Sequence, residues 1–192
     1  MSTRRTSTGD APLLAWGEAM RLARHRRRAR RVVIGMALGV AALGLPVLCP
    51  PAPRLVWNAS ASAPIGLYRV MPGTAAKGGD MVVARVPEPW RALAAGRRYI
   101  PVNVPLVKHI AAAAGQEVCA RDRAIFVDRK LVAVRRPTDP HGRTLPWWEG
   151  CVRLRGRELF LLTDAPDSFD GRYFGVTEGG DVIGRAVLLW RR

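Results

Sequence analysis

Residues 58–68 read Asn-Ala-Ser-Ala-Ser-Ala-Pro-Ile-Gly-Leu-Tyr, and the interpretation of the whole chain turns on them. Asn58, Ser60, Ser62, Pro64 and Gly66 share one parity, while Ala59, Ala61, Ala63, Ile65 and Leu67 share the other. Side chains of an extended strand point alternately to its two faces. The stretch therefore predicts a strand with two hydroxyls on a face of small residues, open to a second peptide lying alongside. An ordinary strand with solvent-facing serines fits the same residues, so the neighbouring sequence has to decide.

Upstream lies a sharp contrast of charge. Residues 1–31 hold nine arginines against Asp10 and Glu18, a balance of +7, and residues 32–49 hold no charge. The whole chain of 192 residues carries +16, which leaves +9 for the remainder. The first ten residues are rich in Ser, Thr and Arg and predict disorder, and a short helix is expected over 12–23. The uncharged run at 32–49 is at the short end of the roughly 17–25 residues that cross a bilayer as a helix, and Pro46 and Pro50 are expected to stop it. A buried core helix seldom lacks a polar face altogether. A cleaved signal would need a small-residue cleavage site before Pro50, and none is convincing. The expectation is an uncleaved signal-anchor: residues 1–31 cytoplasmic, 32–49 membrane-spanning, 50–192 translocated. The basic excess is then mostly topology. No zinc spacing, heptad or base-reading helix supports a nucleic-acid partner.

Beyond the anchor, short apolar runs recur between Gly and Pro at 66–71, 81–86, 102–110, 125–127, 130–134, 158–162 and 182–190. This spacing predicts a mainly β domain of hairpins and long loops. Residues 92–95 and 111–114 are expected as brief helical turns, and 128–130 as a tight turn. Cys119 and Cys151 fall in the translocated part, where an oxidising compartment permits pairing. Their bond would close a loop of about 30 residues and stabilise by roughly 3–4 kcal/mol. His25, His109 and His141 have no ligand spacing relative to the cysteines, so neither a metal nor another cofactor is expected.

A serine needs a base before it attacks a carbonyl. His141 sits in the turn-like Asp-Pro-His-Gly at 139–142, a setting of exposed loop. Lys108, in Leu-Val-Lys-His-Ile at 106–110, shares a strand face with Leu106 and Ile110. Burial there disfavours the ammonium and lowers the lysine pKa, making it a base near neutral pH; the same pattern also fits a lysine that snorkels to water. A third cluster, residues 164–175, carries three carboxylates, Arg172 and two glycines. It reads as a solvated loop or as a loop folded onto the site with Asp170 and Arg172 holding it in place.

Ser-Ala-Pro-Ile-Gly-Leu-Tyr at 62–68, Gly-Asp-Met-Val-Val at 79–83, Leu-Val-Lys-His-Ile at 106–110 and Asp-Gly-Arg-Tyr-Phe-Gly at 170–175 resemble, in order and spacing, the serine–lysine signal peptidases. The resemblance is nearest to the conjugative-transfer, TraF-type branch that matures pilin precursors. It implies Ser62 as nucleophile, Lys108 as general base and Asp170 as the third catalytic-site residue. Ser60 and Arg172 are implied as oxyanion and structural support, and Pro64 and Gly66 as part of the substrate-binding segment. It also implies an acyl-enzyme, resolved by water or by a peptide amine, with an exported pilin or preprotein as partner in a conjugation or secretion machinery. The chain departs from the family pattern at Gly171, where a serine is usual, at Ala63, where methionine is common, and at residues 114–116, Ala-Gly-Gln. Other readings stay open: a general leader peptidase, a non-enzymatic membrane-anchored channel component, and a self-cleaving repressor, against which the apolar span argues.

Overall fold

The computed structural model describes residues 11–192, and the expected disorder of residues 1–10 lies outside them. The chain divides into a helical unit ending at Pro51 and a β unit, Ala52–Arg192. The first is one continuous helix, α1 (Ala11–Leu48), where the sequence predicted two separate segments. Arg and Ala dominate the joining stretch, and both are strong helix formers, so nothing there interrupts the backbone ladder. Pro46 lies inside the last turn without ending the helix. The window of highest hydropathy averages 2.0 and is unburied. Among the described residues this is the one helix long and apolar enough to cross a bilayer.

The β unit contains two antiparallel sheets. The larger has six strands: β1 (Leu55–Asn58), β2 (Gly66–Pro72), β10 (Val182–Arg191), β3 (Met81–Ala84), β4 (Leu106–Ala112) and β9 (Phe160–Leu162), in that spatial order. The smaller runs β7 (Lys130–Val134), β6 (Ala124–Val127), β5 (Glu117–Arg121), β8 (Gly150–Arg153). Two short helices, α2 (Glu88–Gly96) and α3 (Gly171–Phe174), complete the unit. The mainly β expectation is met. Residues 111 and 112, expected as a helical turn, continue β4 instead, because pairing of Ala112 with Phe160 overrides alanine's helix propensity. The 128–130 turn is present: Asp128 and Arg129 both have positive φ, as a two-residue hairpin turn requires. Cys119 and Cys151 are direct register partners across β5 and β8, and their sulfurs are bonded.

The central correction concerns residues 58–68. Strand β1 ends at Asn58, which pairs with Gly66 at the start of β2, so residues 59–65 form the loop of a hairpin. Asn58 closes this loop. Its buried amide nitrogen reaches the carbonyls of Ser60, Ala63 and Pro64 at 2.9, 3.1 and 3.2 Å, and its oxygen accepts from Ser60 N. Tyr68 OH donates to the Pro64 carbonyl at 2.8 Å. The loop carbonyls are thus satisfied by side chains instead of a strand ladder. Beneath it, Ala63 packs with Tyr68, Val70, Val83, Val107 and Ala186.

Candidate active site

Three segments converge on one groove of about 1020 Å³. The hairpin loop brings Ser60 and Ser62, strand β4 brings Lys108, and the loop between β9 and α3 brings Ser168. The serine parity read from the sequence does place the two hydroxyls together, although through a turn: Ser60 Oγ and Ser62 Oγ are 2.9 Å apart. The Ser62 N–H also donates to Ser60 Oγ at 3.3 Å.

Lys108 is held opposite Val82 in the β3–β4 pair and is only 2% exposed. Its Nζ donates to Ser62 Oγ at 3.4 Å and to Ser168 Oγ in a much shorter contact. No carboxylate hydrogen-bonds to it among the described residues. Burial pushes its pKa down from the usual 10.5 to about 8, against the field of Asp170, which raises it; Arg172 adds to the lowering. A cation buried without an ion-pair partner gives up its proton readily. Chemically, an amine in this setting can accept a proton from a hydroxyl within reach. Ser168 is the residue in contact with Lys108 that the sequence did not single out. Its only signal was a hydroxyl two residues before Asp170.

Asp170 is fully buried and caps α3. It accepts from Arg172 Nε at 2.8 Å and from Arg172 Nη2 at 3.0 Å, and Thr163 approaches it through N and Oγ1. Arg172 also donates to the carbonyls of Thr163, at 2.6 Å, and Pro166. The pair therefore braces both ends of the loop carrying Ser168. Asp170, expected among the catalytic residues, makes no hydrogen bond to Lys108; its partners are Arg172 and Thr163. Gly171 has a steric explanation as well. A Cβ there would lie 2.8 Å from the Leu161 carbonyl and 2.9 Å from the Phe160 ring, so no serine fits without movement, and the hydroxyl for Lys108 comes from Ser168.

Pro64 and Gly66, expected to touch substrate, do not line the groove. Pro64 offers its carbonyl to Tyr68 and Asn58. Gly66 is packed against β10, where a Cβ would fall 2.0 Å from the Trp190 carbonyl. Both shape the hairpin. His141 lines the groove, and its backbone N–H donates to Asp139. The far wall is built by residues 97–99 and 137–145. Asp139 draws them together, accepting from Tyr99 OH at 2.6 Å, Arg143 Nε at 2.7 Å and the backbone N–H groups of His141 and Arg143. Burial works against its charge, but these donors together hold the carboxylate well below its usual range.

The sequence matches the family described as signal peptidase, peptidase S26, over residues 27–191. It is 36% identical over 91 residues to the plasmid transfer protein TraF of Escherichia coli; this is 44% of the chain and 51% of TraF, so the match spans about half the relative's length. A solved structure of a signal peptidase I from Enterococcus faecalis V583 aligns with a TM-score of 0.34 at 16% identity, over 58% of this chain and 97% of that one.

Proposed function

Because the chain belongs to the signal peptidase family, peptidase S26, we propose that it is a membrane-anchored serine endopeptidase that cuts exported precursors with a Ser62–Lys108 dyad. The observation that carries this reading is the buried Lys108 amine, 3.4 Å from Ser62 Oγ and with its pKa lowered to about 8. Neutral Lys108 takes the Ser62 proton as Oγ attacks the scissile carbonyl. The Ser62 N–H and the Ser60 hydroxyl turn from each other to the developing oxyanion, a donor set commonly worth about 3 kcal/mol of barrier per bond. Collapse expels the leaving amine, protonated by Lys108, and leaves an acyl-serine. Water or a peptide amine then gives up a proton to Lys108 and releases the product.

The similarity to TraF favours a conjugative pilin precursor as substrate. In this reading residues 1–31 are cytoplasmic, 32–49 span the inner membrane and 50–192 form the periplasmic peptidase. Exposed Leu55, Trp57, Leu189 and Trp190 on β1 and β10 suit a domain that works at a bilayer surface. The test is co-expression with conjugative pilin precursors, the product being read by intact mass. Wild type yields a shortened or cyclised product and Ser62→Ala leaves the precursor whole; cleavage by purified Ser62→Ala protein would sink the mechanism.

A further inference from the structure

We propose that Arg98 forms a carboxylate-binding subsite in the groove, selecting precursors with an acidic side chain near the cut. The inference rests on the peptidase reading above and names a feature of its substrate. Arg98 is held in an unusual backbone conformation. Helix α2 ends with Arg98 N donating to the Ala95 carbonyl and Tyr99 N to that of Ala94, and Arg98 between them has φ +59°. This left-handed position after a helix is the one that glycine normally fills, and a side chain there costs about 1 kcal/mol or more. The four-residue stretch Gly-Arg-Arg-Tyr at 96–99 contains a glycine, yet it lies two positions too early. An arginine at this place is therefore unfavourable for the helix end, which points to a use for its side chain.

That side chain is exposed, lines the same groove as Ser62, and has no hydrogen-bond or ion-pair partner among the described residues. The other charged residues of the wall are committed. Arg143 pairs with Asp139, Arg136 with Asp167, and Arg97 donates to the Thr144 carbonyl. Both groove carboxylates are thus neutralised by arginines, and Arg98 is an unmatched charge. Both of its neighbours are anchored: the Arg97 carbonyl accepts from Arg143, and the Tyr99 hydroxyl donates to Asp139. A guanidinium on a rigid turn suits bidentate contact with a carboxylate. The basic balance of the whole domain does not explain the feature, since most of its arginines occupy ordinary backbone positions.

The test uses the full chain in detergent micelles and fluorescein-labelled alanine-rich decapeptides in which a single Glu, Gln or Lys is moved through every position. Binding is measured on the Ser62→Ala protein and cleavage on wild type. At one position Glu is expected to bind roughly fivefold more tightly than Gln, with Lys weakest, and the preference should shrink with added salt. Arg98→Gly should abolish the preference while retaining the fold, and Arg98→Glu should reverse it towards Lys. Arg121→Glu, an equal change of charge on β5 away from the groove, should preserve it. Equal binding of Glu and Gln peptides at all positions would overturn the proposal, as would a preference that survives Arg98→Gly. If the binding preference is present but wild type cuts nothing, the peptidase reading fails and the subsite stands.

Discussion

Three cations are buried in the β unit, Lys108, Arg135 and Arg172, and the surroundings of the first two differ in one respect that decides what each can do. Arg135 is completely inaccessible. Its guanidinium donates to the carbonyls of Asp122 and Trp148 and to the Glu149 carboxylate, and it stacks 3.6 Å from the Trp147 ring. Lys108 is nearly as buried, yet it has two hydroxyls and no carboxylate. Burial lowers the pKa of both, but Glu149 opposes the shift at Arg135 by charge and hydrogen bond. A guanidinium also keeps its proton at any pH a protein meets. The matched charge is a structural pin, joining the β5–β6 turn to the Trp147–Trp148 segment. Through Trp148, whose indole N–H donates to the Gly171 carbonyl at 3.2 Å, that pin reaches the helix beside the site. The unmatched charge suits the base of the proposed dyad.

Exchanging the two kinds of cation is the strongest way to break this comparison. Lys108→Arg retains the positive charge and removes the ability to accept a proton, so precursor cleavage should fall by a factor of about 10³ or more. The folded domain should persist, as followed by circular dichroism. Cleavage at a tenth of the wild-type rate or faster would show that Lys108 is not the base.

Removing the pin should do the converse. Arg135→Ala leaves two or more buried carbonyls without donors and opens a void beside Trp147, which should cost about 3 kcal/mol of stability. Glu149 is half exposed and regains water, so it adds little to that cost. Denaturant unfolding measures the loss. The pH dependence of cleavage, read under conditions where the variant is folded, should be unchanged.

Much of this pair could be anticipated unequally from the sequence. Lys108 was legible because the β4 pattern placed it between Leu106 and Ile110, both buried in the structure. Arg135 was not, since Val-Arg-Arg-Pro at 134–137 gives no periodic clue to which arginine turns inward. Ser62 was identified by a motif, but the strand alternation used to support it was the wrong reason. Asn58 and Gly66 make a hairpin, and a loop satisfied by one asparagine side chain leaves no periodic trace. Strands β5 and β8 were missed for a related cause. Residues 117–121 and 150–153 mix charged, cysteine and apolar residues, and their pairing is set by contacts across 32 positions of sequence.

The burial cost of the unmatched cation should be visible in stability as well as in rate. Lys108 has a folded pKa of about 8 against 10.5 when unhindered, a difference of about 3 kcal/mol. Below pH 8 the amine is charged in both states and the penalty is complete. Between 8 and 10.5 the folded state has released a proton that the unfolded state still binds, so stability rises with pH across that window. Lys108→Met removes the penalty and loses the Ser168 hydrogen bond, worth about 1 kcal/mol. The variant should therefore be more stable than wild type by about 2 kcal/mol at pH 6, and the advantage should vanish by pH 10. A gap that does not change with pH would mean that Lys108 is matched by a charge after all. The activity of wild type should follow the same titration, rising with pH until the amine is neutral.

The smallest effect tests the hydroxyl that stands where a matched cation would have a carboxylate. Ser168 accepts from Nζ, so it holds the amine towards Ser62 and modestly favours its charged form. Ser168→Ala should release the lysine to other rotamers and lower kcat by about tenfold, with little change in KM, because the groove wall is otherwise intact. The loss of an acceptor also destabilises the ammonium, so the rise of activity with pH should move to lower pH by less than about one unit. The two results separate the roles of Ser168. A fall in kcat with an unmoved pH profile would make it a purely geometric support. A shift to higher pH would mean that the hydroxyl favours the neutral amine, reversing the sense of the contact. Ser168→Asp should go furthest, supplying the missing carboxylate: it should raise the lysine pKa and move the profile to higher pH, converting Lys108 into a cation of the Arg135 kind.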